Sequence, residues 1–261
     1  MVKTRIIPCL LLKNGRCVKG VNFTNHRDVG HPVTNAKIYE AQGADELIFL
    51  DIIANSKESL VLLDIVRQTA DQCFMPLTVG GGIKTLNDIF QLLRAGADKV
   101  SINTAAVQNP EFITQATKKF GSQCIVVSID YKKNQNGNLE VFIQSGNRAT
   151  GLKPVDWAKK VQTLGAGEIL LTNIDREGTR TGYDLETLRA VSEQLNIPVI
   201  ANGGVGSMAD LKRGILDGHA QAVSLASILH FTNQSVIKAR DYLATSGLEV
   251  RVDDLNIQVS K

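Results

Sequence analysis

Eight short apolar runs, separated by segments of helical periodicity, narrow the possible folds of this chain more than any other feature. The runs occupy residues 6–12, 46–52, 76–82, 99–103, 124–130, 168–174, 197–204 and 221–227. They are continuous rather than alternating and are bounded by Gly, Asp or Asn, which is typical of parallel strands buried on both faces. The segments between them place apolar residues three and four apart and end at glycine, as amphipathic helices do. Eight strand–helix units in 261 residues predict a single (β/α)8 barrel, with an open doubly wound sheet as the alternative.

The second half of the sequence repeats the first at a nearly constant distance. Gly82 in LTVGGGI corresponds to Gly204 in VIANGGV, 122 residues later, and Ser101 in KVSINTA corresponds to Ser224 in AVSLASI, 123 residues later. Repeats of this kind mark an architecture built from repeated supersecondary units. We therefore predict two half-barrels of four strand–helix units, related by a pseudo-twofold axis. Each half should carry its own copy of a site at the carboxyl ends of its strands.

Glycines and small polar residues at these strand ends indicate what the two sites bind. In the first half, residues 80–82 are all glycine, and the next run ends in Asn103 and Thr104 just before a predicted helix. Backbone N–H groups in a glycine-rich turn and at the start of a helix converge on anions. The corresponding residues of the second half are Gly178, Gly204, Ala226 and Ser227. We expect a substrate with two phosphates to span the barrel mouth; for a single glycine cluster, a tight turn is the alternative.

Composition and charge exclude several other classes of function. The net charge is only +3, and Lys and Arg are spread over the predicted helices, so we expect no nucleic-acid partner. No apolar stretch approaches the roughly 20 residues of a membrane span, and the first residues lack a signal-peptide pattern, so we expect a cytoplasmic protein with no membrane partner. The four cysteines lack the spacing of zinc or redox sites, so we expect reduced thiols, no metal and no cofactor. Of the four histidines, only His230 falls loosely near a predicted strand end, and all four are expected at the surface or in packing positions.

Seven motifs in a fixed order give the sequence a family resemblance. They are RIIPCL, GRCVKGVNF, GADELIFLDI, PLTVGGGIKT, RAGADKVSIN, GAGEILLTNIDREGT and NIPVIANGG. With them the chain resembles the cyclase subunits of imidazole glycerol phosphate synthases, glutamine amidotransferases of the histidine pathway, from Arg5 to about Val252. The resemblance implies a lyase-type enzyme that pairs with a glutaminase subunit as a heterodimer and uses the ammonia it receives on a phosphorylated small-molecule acceptor. One barrel domain over residues 1–252 is predicted, with residues 253–261 as an appended tail.

The same resemblance implies an ammonia gate at the opposite end of the barrel. In such proteins a ring of charged residues closes the amino-terminal ends of the strands. The matching residues here stand at or just before four of the apolar runs: Arg5, Glu46, Lys99 and Glu168. Alternating positive and negative charges would pair one another, as buried charges require. For any one of these residues taken alone, an ordinary solvated strand end is the alternative.

The substrate pocket keeps only part of the family pattern. Cyclisation in the family uses two carboxylates, at the ends of the first and fifth strands; Asp130 is one, but Leu11 stands in place of the other. The internal repeat also sets Leu11 opposite Asp130. A leucine transfers no proton, and loss of a general acid or base typically costs ~10²–10⁴ in rate. The resemblance does not carry cyclisation over to this chain.

Further roles are implied residue by residue. Lys19 is implied to be catalytic, on a flexible loop after the first strand that closes over the ligand. The implied substrate-binding residues are Asp51, Gly82, Asn103, Thr104, Thr172, Glu177, Gly178, Gly204, Ala226 and Ser227. Other positions depart from the expected small hydroxyls or Asp: Ile53, Ile143, Glu177 and Asn202. Together, Ile53 and Leu11 are expected to make one side of the pocket more apolar, which indicates a changed acceptor.

Three functions remain open at this point. The first is an amidotransferase synthase subunit whose acceptor is the histidine-pathway ribonucleotide or another molecule, such as a nucleotide sugar or acetamido sugar of a surface polysaccharide pathway. The second is a catalytically reduced ammonia conduit for acetamidino-sugar formation, which docks a glutaminase and a separate acceptor enzyme. The third is a solitary phosphate-binding barrel. The gate residues disfavour the third and Leu11 disfavours histidine-pathway cyclisation, so we predict an amidotransferase subunit with its acceptor unassigned.

Overall fold

The computed structural model describes residues 3–53 and 58–251; the predicted tail, residues 253–261, lies outside them. The strands are β1 (Arg5–Lys13), β2 (Arg16–Val21), β3 (Thr24–Gly30), β4 (Leu47–Asp51), β5 (Leu77–Gly80), β6 (Lys99–Ile102), β7 (Ile125–Lys133), β8 (Leu139–Ile143), β9 (Arg148–Ala149), β10 (Glu168–Asn173), β11 (Val199–Asn202) and β12 (Ala222–Leu225). The helices are α1 (Pro32–Ala41), α2 (Glu58–Ala70), α3 (Leu86–Arg94), α4 (Thr104–Gln108), α5 (Glu111–Phe120), α6 (Pro154–Thr163), α7 (Leu185–Ser192), α8 (Met208–Leu216), α9 (Ser227–Phe231) and α10 (Val236–Thr245), with a 3-10 turn over Ser122–Cys124.

Eight of these strands form a closed parallel barrel. In circular order they are β1, β4, β5, β6, β7, β10, β11 and β12, and β12 pairs with β1 to close the ring. Each neighbouring pair is parallel. Each predicted apolar run overlaps one barrel strand. The predicted (β/α)8 barrel is therefore confirmed, and the open doubly wound sheet is wrong.

The sequence repeat is visible in how corresponding helices begin. The Asp88 carboxylate accepts the backbone N–H of Thr85 at 2.8 Å before α3, and the Asp210 carboxylate accepts that of Ser207 at 2.8 Å before α8. Such contacts satisfy backbone donors that have no partner within the helix. These two helices follow the third strand of each half-barrel, so the same N-terminal capping interaction occurs at corresponding positions of both halves.

Two antiparallel hairpins, neither of them predicted from the sequence, extend the barrel beyond the carboxyl ends of its strands. β1 continues into β2 and β3, and β7 continues into β8 and β9. Each hairpin follows the first strand of a half-barrel, so the hairpins repeat as the barrel strands do. β3 has the sequence TNHRDVG and is mostly exposed, so it carries no apolar run that would reveal a strand.

Apolar side chains fill both sides of the barrel wall. One cluster, which includes Trp157 and Phe49, packs the strands against the surrounding helices. A second cluster fills the barrel interior: Ile7, Cys9, Ile48, Val126, Leu170, Ile200 and Ala222. Full burial of a large apolar side chain stabilises a fold by ~1.5–3 kcal/mol. Because the strands are covered on both faces, their apolar residues are consecutive rather than alternating.

Two smaller expectations concern thiols and membranes. All four cysteines are free, and Cys9, Cys17 and Cys73 are buried, which agrees with the prediction of reduced thiols in packing positions. Within residues 3–53 and 58–251, no helix has the length and apolar character needed to cross a membrane.

Candidate functional site

A cavity of about 600 Å³ opens at the carboxyl ends of the barrel strands. Ten of the residues singled out from the sequence line it: Leu11, Lys19, Asp51, Gly82, Asn103, Thr104, Asp130, Thr172, Glu177 and Ala226. Three others, Gly178, Gly204 and Ser227, are not among its lining residues. The structure therefore brings together most of the predicted pocket but leaves part of the second half outside it.

Asp130 lies in a network of polar groups on the cavity wall. Asn103 Nδ2 donates to its Oδ2 at 3.1 Å, and Ser128 Oγ donates to its Oδ1 at 3.2 Å. Burial raises the pKa of Asp130 to about 6, and hydrogen bonds from Ser128 and Thr172 oppose the rise. A carboxyl group with a pKa near neutrality can both accept and donate a proton at physiological pH. Asp130 is thus suited to proton transfer.

Leu11 faces this carboxylate from the other side of the barrel. It lies on β1, paired with Leu50 of β4, whereas Asp130 lies on β7, paired with Thr172 of β10. β1 and β7 are the first and fifth strands of a closed ring of eight, so they stand opposite each other. Leu11 is only 9% exposed and lines the cavity. The position opposite Asp130 therefore offers an apolar surface and no proton.

Lys19 differs from its prediction in both place and environment. It lies within β2 rather than on a flexible loop, so that prediction is wrong. The side chain is buried, and its Nζ contacts Glu177 Oε1. Burial lowers the pKa of Lys19 to about 8, so the amine stays mostly protonated at neutral pH. A buried ion pair thus joins the first hairpin to the loop after β10.

Glycines shape the first-half end of the cavity. Gly81 and Gly82 have φ values of 106° and 68°, a backbone region that side chains strongly disfavour. A Cβ on Gly81 would lie 2.2 Å from the carbonyl oxygen of Asp51, so only glycine fits this close approach. Ser101 is buried, lines the cavity, and its Oγ has no hydrogen-bond partner among the described residues. This end therefore has open backbone and an unused hydroxyl with which to bind an anion.

The second-half end is arranged differently. A Cβ on Gly178 would lie 2.4 Å from the carbonyl oxygen of Gly20, and one on Gly204 would lie 2.2 Å from that of Gly182. Asn22, in the turn between β2 and β3, connects the first hairpin to the loop after β10. Its Nδ2 donates to the carbonyl oxygens of residues 174 and 175 at 2.9 and 2.8 Å. Each of these two glycines thus lies close to another segment of backbone, as Gly81 does, but neither is among the lining residues of the cavity.

At the opposite end of the barrel, the four predicted gate residues form a closed ring, which we call the charged ring. Arg5 Nη1 lies 2.8 Å from Glu46 Oε2 and 3.1 Å from Glu168 Oε1. Lys99 Nζ lies 2.9 Å from Glu46 Oε2 and 3.0 Å from Glu168 Oε1. Each cation therefore contacts both anions. Thr78 Oγ1 also donates to Glu46 Oε1 at 2.6 Å, so the most buried member, whose side chain is 2% exposed, is held by three groups.

An apolar layer separates the charged ring from the cavity. Side chains alternate along a strand, so on β10 Glu168 lies in the ring, Leu170 in the inner apolar cluster and Thr172 in the cavity wall. The same order recurs along β1, with Arg5, Ile7 and Cys9, and along β4 and the residue before it, with Glu46, Ile48 and Leu50. The barrel axis thus passes from paired charges through an apolar layer to a cavity lined by both polar and apolar side chains.

Several lining residues were not predicted. They come from the hairpins and from the loop after β5: Phe23, His26, Lys84, Gln144 and Ser145. His26 was expected away from the site, but it lies on β3, and burial lowers its pKa, with contributions from Lys13 and Lys19. Of the departures noted in the sequence, Asn202 lines the cavity, whereas Ile53 and Ile143 do not. The apolar side therefore consists of Leu11, Leu50 and Ile52, not of Leu11 and Ile53.

The sequence also matches the model of a known protein family. The family model described as "Histidine biosynthesis protein" matches residues 5–235. The match runs from the first residue of β1 to the residue before α10, and so includes every barrel strand.

Proposed function

The chain belongs to the histidine biosynthesis protein family, and on this premise we propose that it is the synthase subunit of a glutamine-dependent amidotransferase. In this role it receives ammonia from a glutaminase subunit, with which it forms a heterodimer, and passes it along the barrel axis. A phosphorylated acceptor binds in the cavity at the other end. The family consists of isomerase and cyclase enzymes, so a catalytic role for this chain agrees with its family.

The observation that carries this proposal is the charged ring and the apolar layer behind it. Buried charges are costly unless they pair one another, and a gate for ammonia gives four paired charges a role on the face where a partner would dock. Hydrocarbon disfavours ions far more than small neutral molecules, so the layer formed by Ile7, Ile48 and Leu170 would exclude ammonium and admit ammonia. The charged ring lies at the outer end of that layer, and in this role it would open when a partner docks on this face.

The acceptor end supports a phosphorylated ligand. Gly81 and Gly82 present backbone to the cavity, and Thr104 and Lys84 line the same end. Asp130 is available for proton transfer as ammonia adds to the acceptor. The ligand's phosphate would anchor it at the first half while the reacting atom lies above the barrel axis.

Leu11 favours an acceptor other than the histidine-pathway ribonucleotide. Cyclisation needs a second proton carrier opposite Asp130, and Leu11 supplies none. The isomerase chemistry of the same family also uses carboxylates in both halves, so Leu11 disfavours it equally. A second candidate function follows: an ammonia conduit for acetamidino-sugar formation in surface polysaccharide biosynthesis, in which a separate acceptor enzyme completes the reaction.

The test is complex formation with a glutaminase subunit of an imidazole glycerol phosphate synthase, followed by analytical ultracentrifugation and by glutamine hydrolysis. We expect a one-to-one complex and a change in the rate of hydrolysis. Glu46→Gln and Lys99→Met together, which remove charge of both signs from the ring, should alter ammonia transfer without abolishing ligand binding in the cavity. Failure of the chain to bind the glutaminase or to affect its activity would contradict the proposal.

A further inference from the structure

Three polar side chains form a row across neighbouring strands of the cavity wall. Asp130 on β7 pairs in register with Thr172 on β10, and Thr172 pairs in register with Asn202 on β11. All three residues line the cavity. Side chains in register on adjacent strands lie on the same face of the sheet and can contact one another. The row therefore connects the carboxyl group suited to proton transfer with Asn202, one of the residues that depart from the family pattern.

Asn202 sets the direction of the hydrogen bonds in this row. Its Nδ2 donates to Thr172 Oγ1 at 3.0 Å. An amide NH2 group can only donate, whereas a hydroxyl accepts and also carries one proton. Because Thr172 Oγ1 accepts from Asn202, its own proton is left to donate to Asp130, with which Thr172 shares a hydrogen bond. Thr172 is only 2% exposed, so little water competes for that proton.

The Thr172 hydroxyl is one of three side-chain donors that meet at Asp130. Asn103 Nδ2 donates to Oδ2 and Ser128 Oγ donates to Oδ1, at 3.1 and 3.2 Å. Hydrogen bonds donated to a carboxylate favour its ionised form, while burial favours the neutral form. The balance between the two forms of Asp130 therefore depends on how many of these donors point at it.

Nearby charges contribute less to this balance. The other titratable side chains that line the cavity are Cys9, Lys19, His26, Asp51, Lys84 and Glu177. Lys19 contacts Glu177, and burial raises the pKa of the Cys9 thiol to about 11, so Cys9 is neutral at physiological pH. The pKa of Asp130 is shifted by burial and by hydrogen bonds from Ser128 and Thr172. The orientation of the Thr172 hydroxyl is thus a main control on the protonation of Asp130.

We propose that Asn202 is a positioning residue, which directs the Thr172 hydroxyl proton onto Asp130 and so favours the ionised carboxylate. Only the ionised form can take up a proton as ammonia adds to the acceptor, and this use of Asp130 rests on the proposed function. Since Leu11 supplies no proton carrier opposite it, Asp130 starts the reaction as the base. A hydroxyl at position 202 could accept as well as donate and would leave the direction open.

Carbon-13 NMR of the ligand-free chain tests the proposal. The carboxyl signal of Asp130, identified by its loss in Asp130→Asn, reports the pKa of this group. Thr172→Val removes the hydroxyl with little change of shape and should raise that pKa by about one, because a hydrogen bond to a charged group changes proton affinity roughly tenfold. Asn202→Ala should raise it by a smaller amount, since the Thr172 hydroxyl can then turn away. Asn196→Ala, at an exposed position before β11, should leave it unchanged.

The sign of the shift in Asn202→Ala decides the direction of the hydrogen bond. A lower pKa of Asp130 would mean that the Asn202 amide oxygen had drawn the Thr172 proton away from the carboxylate. An unchanged pKa would mean that Asn202 does not control the hydroxyl. Either result would overturn the proposal.

A double-variant cycle keeps the test independent of the alanine variant. Asn202→Asp has nearly the shape of the natural side chain but, when ionised, can only accept, so the Thr172 proton should turn to it. Adding Thr172→Val to this variant should then raise the pKa of Asp130 far less than Thr172→Val does alone. The new charge is present on both sides of this comparison and cancels. Equal effects of Thr172→Val in the two backgrounds would contradict the role of Asn202.

These measurements need neither ammonia nor an acceptor, so they are independent of the proposed function. If the pKa of Asp130 responds as expected but the chain binds no glutaminase, the role of Asn202 stands and the proposed function fails. If the chain binds the glutaminase but the pKa of Asp130 does not respond to residue 202, the proposed function stands and this inference fails.

Discussion

At the amino-terminal end of the barrel, four charged side chains pair in a closed ring; at the carboxyl end, a leucine occupies the place of one of two expected carboxylates. The ring matches the pattern that the family resemblance implies at every position, whereas the cavity matches it only in part. Residues that would pass ammonia are thus kept together, and residues that would cyclise a ribonucleotide are not. An apolar layer separates the two ends, so the residue at position 11 in the cavity wall alters no contact within the charged ring.

The largest effect is expected from restoring the missing carboxylate in the cavity. If Leu11 alone prevents cyclisation, Leu11→Asp should raise ammonia-dependent turnover of the histidine-pathway ribonucleotide by ~10²–10⁴. Product formation is followed by chromatography with ammonium chloride as the nitrogen source. Leu50→Asp is the matched control, since Leu50 neighbours Leu11 in register and also lines the cavity. No gain from Leu11→Asp would show that the wider pocket has been repurposed.

At the other end, removal of one ring charge should be costly. Glu46→Ala leaves Arg5 and Lys99 with only Glu168 between them, and breaking a buried ion pair typically costs ~3–5 kcal/mol. Urea denaturation should therefore show a large loss in the free energy of unfolding. Glu193→Ala, which breaks an exposed pair with Arg189, should produce no measurable change. Equal effects of the two substitutions would mean that the ring is no more than a set of solvated strand ends.

A third prediction concerns Asp130 in the cavity and the pH dependence of the free energy of unfolding. Burial raises the pKa of Asp130 to about 6, above the ~3.9 of an unfolded chain. Between these values the folded state binds the extra proton, so this group makes stability fall as pH rises from about 4 to 6. Asp130→Asn should be more stable than the wild type at pH 8, by up to about 3 kcal/mol, and the difference should vanish near pH 4. Urea denaturation at both pH values measures this difference in the free energy of unfolding. A variant less stable than the wild type at pH 8 would contradict the raised pKa of Asp130.

The smallest expected effect compares the two half-barrels directly. Thr104→Val removes a hydroxyl from the cavity wall and should weaken inorganic phosphate binding about 3- to 10-fold, the range for one hydrogen bond. Ser227→Ala removes the hydroxyl of the first residue of α9, which does not line the cavity, and should leave the affinity unchanged. Titration calorimetry distinguishes them. A larger loss for Ser227→Ala would place the phosphate in the second half instead.

The barrel could be predicted from the sequence because its strands are apolar on both faces and its halves repeat. Each of the eight runs contains buried residues that a sheet covered on both faces accommodates, and Gly82 and Gly204 mark the repeat. The ring was also visible, since Arg5, Glu46, Lys99 and Glu168 stand at strand starts, and its ion pairs follow from their alternating sign.

The hairpins could not be predicted in the same way. β3 is polar and exposed, so it has no burial pattern, and the position of Lys19 depends on pairing between β2 and β3 rather than on local sequence. The contact between Lys19 and Glu177 joins residues far apart in the chain. The first hairpin packs against Gly178, so the two half-sites differ in which of their glycines line the cavity. This difference depends on tertiary contacts and is not visible in the sequence repeat.

The purified wild-type chain shows most directly whether this barrel, which we propose passes ammonia, lacks cyclase activity on the histidine-pathway ribonucleotide. The measurement is turnover of the histidine-pathway ribonucleotide at high ammonium chloride, which replaces the glutaminase. We predict a folded protein that binds inorganic phosphate and forms no cyclised product above background. Turnover well above background would contradict the claim and show that Asp130 suffices without a second carboxylate.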